Sequence, residues 1–316
     1  MNPQPHRIDT HHHIIPPKYL ARARDQVLGV AHVHAPKLIN WTPAMALEAM
    51  DQGGVATAVT SISSPGVWFG DDAAGREIAR DCNEFAAGMA SDHKGRFGVF
   101  AALPLPDVDG SLREIEYSFD VLKVDGIGLM TNYGDTWPGN ARFAPVFDEL
   151  NRRKAVIYFH PTAPGFCTGL LPEIPPPTIE FPFDTTRAIL TLLYAGTFSR
   201  CPDIRFIFSH AGGALPMLAY RIAAVTGTRK ELLARLPNGV MHELKKLYYD
   251  VVNASNPISF NAIRQLVGIP QLLYGSDFPF WSPQSTAAAL AELGLSPGEL
   301  RSVERDNALA LFPRLK

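Results

Sequence analysis

Five side chains in this sequence combine reactive chemistry with a common placement: each stands where an apolar run ends. His11 and His13 close the run Arg7–His13, and His160 closes Ala155–His160. His210 closes Ile204–His210, and Asp277 closes Gln271–Asp277. Neutral imidazole and carboxylate suit zinc or another borderline divalent ion. Residues i and i+2 of a strand point to the same side, so His11 and His13 can share one ion while His12 points away. A His-x-His pair is weak evidence by itself, because histidine runs also occur in expression tags. Its setting after Ile8-Asp9-Thr10 and before a proline-rich turn argues against a tag. His160 and Asp277, at the ends of two further predicted strands, complete a four-residue ligand set. Taken singly, His160 also reads as a loop histidine capping a carbonyl, and Asp277 before Phe278-Pro279 as a turn or cap residue.

His210 lies in Phe208-Ser209-His210-Ala211-Gly212-Gly213. The paired glycines let backbone come close to the site. A histidine there suits general acid or base work. A fourth nitrogen ligand and a supporting hydrogen-bonding group are the other two readings of it.

The elements that must position these groups recur as strand and helix. Predicted strands cover Arg7–His13, Val55–Ser63, Phe97–Leu103, Val124–Met130, Ala155–His160, Ile204–His210, Leu247–Val252 and Gln271–Asp277. Predicted helices include Thr42–Met50, Asp72–Lys94, Asp109–Leu122 (with Asp109 or Ser111 as cap), Ala141–Arg153, Thr185–Phe198 and Gly213–Thr226. Pro257–Val267, Gln284–Leu293 and Pro297–Phe312 follow. Near-continuous apolar strands separated by helices imply a parallel sheet covered on its outer side. Eight such units favour a closed α/β (β/α)8 TIM barrel, with active-site residues at the C-terminal strand ends. An open doubly wound sheet is the alternative, but no GxGxxG follows the first strand. The whole of residues 1–316 reads as one domain with insertions near 19–40 and 166–182. The second insertion carries Pro172, Pro175, Pro176, Pro177 and Pro182, a density that argues against a regular helix.

Composition narrows the function classes. The 316 residues are 46% hydrophobic and 19% charged, with a formal net charge of −2. That suits an ordinary globular protein and gives no basic stripe for nucleic acid. No apolar run approaches the roughly 20 residues that span a bilayer, and no signal peptide is evident. Cys82, Cys167 and Cys201 form no CxxC pair. They read as reduced thiols in a cytoplasmic protein, two of them buried.

The sequence resembles the decarboxylase branch of the amidohydrolase superfamily, typified by aminocarboxymuconate semialdehyde decarboxylase. The resemblance rests on Ile8-Asp9-Thr10-His11-His12-His13, Phe159-His160-Pro161, Ser209 to Pro216, and Gly275-Ser276-Asp277-Phe278-Pro279-Phe280. Asn307-Ala308 before Leu311-Phe312 resembles the closing helix. The resemblance implies that His11, His13, His160 and Asp277 bind the metal, that His210 is the catalytic histidine, and that Arg221 contacts a substrate carboxylate across a dimer interface. Binuclear members carry a carboxylated lysine at the end of strand four; here that strand ends Gly128-Leu129-Met130-Thr131, which implies a single metal. Within the branch, Ser63 to Asp71 and Phe181 to Arg187 are similar to the 6-methylsalicylate decarboxylase type. Trp68, Phe181 and Phe280 are then expected to form an aromatic wall for the substrate, with lid or interface packing as the competing role.

The implied reaction is non-oxidative decarboxylation of a small aromatic or unsaturated carboxylic acid. One divalent ion, Zn²⁺ first and Mn²⁺ as alternative, would anchor the carboxylate, and Asp277 or His210 would protonate the carbon that bears it. No organic cofactor is required. The rival is a hydrolase or hydratase on the same scaffold, in which activated water attacks carbon and His210 takes a proton. A non-catalytic barrel that binds metal or ligand is the third reading. A homodimer or higher homo-oligomer is implied by the relatives.

Overall fold

The computed structural model describes residues 5–31, 34–167 and 169–315. It contains eight strands: β1 (Arg7–His13), β2 (Val55–Ser61), β3 (Phe97–Ala102), β4 (Gly126–Met130), β5 (Val156–His160), β6 (Arg205–Phe208), β7 (Tyr248–Asp250) and β8 (Leu272–Leu273). They lie side by side in sequence order, all parallel. Parallel neighbours need a crossover between them, and helices on the outside supply it. The first and last strands then meet. The Thr10 amide donates to the Tyr274 carbonyl at 3.0 Å, the His13 amide to Phe278 at 2.8 Å, and His12 bridges Phe278. The architecture is a (β/α)8 barrel.

Two cores follow from the alternation of side chains along each strand. Ile8, Val59, Phe100, Tyr158, Ile207 and Leu273 fill the barrel, closed below by Phe312 from the end of the chain. The larger core lies between the sheet and the surrounding helices.

Several boundaries differ from the sequence reading for identifiable reasons. The helix expected at Asp109 starts at Val108, so its cap is Asp107, whose carboxylate accepts from the Gly110 amide; Asp109 falls in the first turn. The proline-rich stretch is partly helical after all. A helix runs Pro176–Tyr194, with Pro176 and Pro177 in the first turn, where no amide hydrogen is needed. Pro182 sits inside it. Its carbonyl accepts from the Thr186 hydroxyl and the Ala214 amide, which ties this helix to the turn after β6. β8 pairs regularly only over Leu272–Leu273, because the chain beyond bends to close the barrel. The final helix is interrupted by a wide turn at Ser302–Asp306, which buries Val303 and Glu304; the Glu304 carboxylate receives Arg7 and His6. The early insertion forms three short helices, Pro17–Arg22, Arg24–Ala31 and Ala35–Ile39; residues 32 and 33 lie outside the described residues. Among the described residues no helix is long and apolar enough to cross a membrane.

Candidate metal centre

At the C-terminal mouth of the barrel, one ligand atom each from His11, His13, His160 and Asp277 lies within 4.8 Å of all the others. The four residues are buried. Their convergence has a local cause in each strand. β1 carries irregular pairing between Asp9 and His12, which turns both His11 and His13 towards the axis. His160 is the last residue of β5, aligned with Met130 of β4. Asp277 stands beyond β8 with φ of 58°, a left-handed conformation an aspartate tolerates better than most residues. Its amide donates to the His11 carbonyl at 2.7 Å, which locks the turn onto β1.

Each imidazole is oriented by the nitrogen that faces away from the centre. His11 Nδ1 donates to Asp250 Oδ2 at 2.9 Å, His13 Nδ1 to the Ser61 hydroxyl at 3.1 Å, and His160 Nδ1 to the Pro161 carbonyl at 2.9 Å. With Nδ1 carrying the hydrogen, each ring presents an Nε2 lone pair inward. His11 Nε2 and His13 Nε2 are 3.0 Å apart, and each is 3.2 Å from Asp277 Oδ1. That oxygen is buried and has no well-aligned hydrogen-bond partner. Lone pairs and a carboxylate oxygen crowded at one point call for a cation between them, so the residues fit one divalent ion.

The charges agree. Burial pulls the His11 imidazolium down, but the carboxylates of Asp250 and Asp277 outweigh it and lift the pKa to about 10. Burial lowers His13 to about 4 and sends His160 well below the ordinary range. Asp277 is held well below the usual carboxylate range: burial opposes ionisation, and His11, His13 and His210 together overcome it. The protein's own groups thus demand one positive charge at the centre. A proton on His11 supplies it minimally, and a metal ion supplies more.

The other anticipated residues fall into three places. His210 opens the turn after β6 with φ of 54°; Asp250 Oδ1 accepts its amide at 3.0 Å, and its Nε2 is 3.6 Å from Asp277 Oδ2. Phe181 and Phe280 flank the ligands, with ring centres 6.2 Å from His160 and 6.0 Å from His13. His34 packs edge-on to Phe280 at 5.6 Å. Trp68 is placed differently from a wall residue at the ligands: its Nε1 donates to Asp72 and its ring lies against Gly75 and Gly134. Arg221 is exposed on the helix Leu215–Gly227.

A family model described as amidohydrolase matches residues 8–314. The chain belongs to the amidohydrolase family. It is 36% identical to the protein named Decarboxylase yanB of Aspergillus niger, over 98% of this chain and 88% of that one. It is 33% identical to the 6-methylsalicylic acid decarboxylase of Penicillium expansum, over 98% of this chain and 97% of that one. Among solved structures, a dihydroxybenzoic acid decarboxylase from a Polaromonas species, with bound manganese and the inhibitor 2-nitroresorcinol, superposes with a TM-score of 0.87. It shares 21% identity and covers 98% of each chain, a likeness of fold.

Two carboxylates of this amidohydrolase were missed in the sequence. Asp250 ends β7 and holds both His11 and His210; the same strand-end rule points to it, but the predicted strand ran on to Val252 and hid it. Asp184, fully buried, accepts from the Thr131 hydroxyl at 2.5 Å, Asn132 Nδ2 at 2.8 Å and Trp137 Nε1 at 2.8 Å. The Thr131 amide donates to the His160 carbonyl, so Asp184 braces the end of β5 through one intermediary. No spacing in the sequence signals that contact. Asp9 is a third brace: its carboxylate receives the His11 amide, His12 Nδ1, and both the amide and hydroxyl of Ser276.

Proposed function

We propose that this amidohydrolase is a metal-dependent, non-oxidative decarboxylase of a small aromatic carboxylic acid, a hydroxybenzoate of the 6-methylsalicylate kind. The observation that carries the reading is the single-ion cradle of His11, His13, His160 and Asp277 with His210 facing it. Relatives named as decarboxylases, matched over nearly the whole chain, support the reaction class. Zn²⁺ is the first assignment for the ion and Mn²⁺ the alternative; both accept this donor set. When bound, the ion supplies a Lewis-acid anchor for the carboxylate and a neighbouring hydroxyl.

The chain's own residues do the rest. Phe181 and Phe280 bracket the ring and keep water from its faces. Asp277 Oδ1 lies among the ligand nitrogens and Oδ2 faces His210, so Asp277 serves as ligand and as the group that orients His210. His210 delivers the proton to the ring carbon that carries the carboxylate. The carbon–carbon bond pair then returns to the ring as carbon dioxide leaves, and His210 regains a proton from solvent. Metal-loaded protein given 6-methylsalicylate should release carbon dioxide, and in D₂O one deuterium should enter the ring. His210→Asn should keep its metal and lose roughly 10²–10⁴-fold in turnover. Undiminished turnover in chelated protein would sink the mechanism. Label from oxygen-18 water in the organic product would favour the hydrolase instead.

We assign a homodimer built on the helix Leu215–Gly227, with Arg221 reaching a carboxylate in the second copy. Met217 and Tyr220 beside Arg221 are 78% and 79% exposed, a costly display unless covered. Sedimentation should give a dimer, and Tyr220→Glu a monomer; a monomeric native protein at micromolar concentration refutes the assignment. The three unpaired thiols fit a reducing, cytoplasmic setting.

A further inference from the structure

The barrel mouth is chemically lopsided. Polar side chains project from β1, β5 and the ends of β6 to β8, whereas the inward positions of β3 and β4 are small or apolar. A cavity of about 10 Å³ opens there, lined by Ile62, Phe100, Ala102, Gly128 and Met130, with Tyr133 at its rim. That volume admits one group of the size of water or methyl. Water is a poor occupant, because it needs two or more polar partners. The lining offers few polar atoms, and each already holds one partner: the Tyr133 hydroxyl accepts from the Met130 amide, and the Gly66 carbonyl from the Tyr19 hydroxyl.

Gly128 makes this niche. It lies between buried neighbours Ile127 and Leu129 yet keeps accessible surface, because space remains where its side chain would be. A Cβ at this position would stand 3.5 Å from Phe100 Cβ and 3.7 Å from Ser61 Cβ, ordinary contact distances. Gly128 is linked to the metal centre through two neighbours. Ser61 holds His13, and Tyr158, paired opposite Gly128, has its ring 5.3 Å from that of His11.

We propose that the niche between β2, β3 and β4 receives a methyl-sized alkyl substituent on the ring of the acid held at the metal centre. The inference rests on the decarboxylase reading for the identity of the acid, and it makes Gly128 a specificity-determining residue. One methyl in an apolar pocket is worth roughly tenfold or more in discrimination. The test compares metal-loaded native protein with Gly128→Ala, in which the new methyl occupies the niche without a clash. Dissociation constants for 6-methylsalicylate and salicylate are measured by calorimetry on both. The native protein should prefer the methylated acid, and the variant should lose about tenfold of that preference. An unchanged ratio, an equal weakening of both acids, or no binding of either acid overturns the proposal. A variant with a higher melting temperature and the native preference would identify the niche as a packing void. Carbon dioxide release, assayed separately, tests the reaction, so binding with the expected preference but without release would refute the decarboxylase reading and leave the niche standing.

Discussion

Replacing Asp250 by asparagine should weaken metal binding at the centre even though no ligand is replaced. Asp250 is fully buried, and its two oxygens have different duties. Oδ1 accepts two backbone amides, from His210 at 3.0 Å and Val252 at 3.2 Å, so the asparagine must keep its oxygen there. Its NH₂ then lands opposite His11 Nδ1, donor against donor. His11 escapes by moving its hydrogen to Nε2, the atom that has to bind the ion. Supporting partners of metal-bound histidines are typically worth about 10–100-fold in affinity, or about 1.4–2.7 kcal/mol. The tautomer argument places Asp250→Asn at the upper end and makes it no better than Asp250→Ala, although asparagine is the closer match in shape. Competition against a chromophoric chelator gives the affinity, and a thermal melt checks that the variant folds. Metal affinity within about twofold of native would refute the reasoning, as would an alanine variant clearly worse than asparagine.

Two further outcomes follow from the geometry. At pH 7 the metal-free protein holds a proton on His11, raised to about 10, while His13 at about 4 and the depressed His160 are neutral. Loading one ion should therefore release one proton, and affinity should climb about tenfold per pH unit until His11 loses its proton on its own; calorimetry in buffers of different ionisation enthalpy counts the protons, and zero or two would be wrong. Gly213→Ala should destabilise by about 1–3 kcal/mol or more, because Gly213 has φ of 66° and its Cβ would fall 2.0 Å from the Pro182 carbonyl; urea unfolding reads the loss.

Much of this molecule was legible in its sequence because a parallel barrel writes one simple rule into each unit: apolar strand, reactive end, helix. That rule locates His11, His13, His160 and Asp277, and β1 and the helix Pro257–Val267 have the predicted bounds. It fails where tertiary contacts override local pattern. Pro182 sits in a helix that the turn after β6 holds from outside, through the Pro182 carbonyl and the Thr186 hydroxyl. Asp277 takes up a left-handed turn because β1 is there to receive its amide. Asp184 gathers donors from segments 47 to 53 residues away, and no local window contains them. Trp68 sits in an aromatic stretch that composition cannot tell from a substrate wall.

Three of the four ligands, His11, His13 and Asp277, come from β1 and from the turn beyond β8, the first and last strands of the barrel. They meet at the seam where β1 and β8 close the barrel, joined by contacts such as Thr10 to Tyr274, 264 positions apart. On a ribosome the two histidines of β1 emerge long before their carboxylate partner beyond β8. Metal acquisition therefore waits on β8, because a chain stalled before it has His11 and His13 but no Asp277 to meet them. The ion acts as a clasp fastened after the garment is closed: it certifies a closed barrel, and one without β8 lacks a ligand for it.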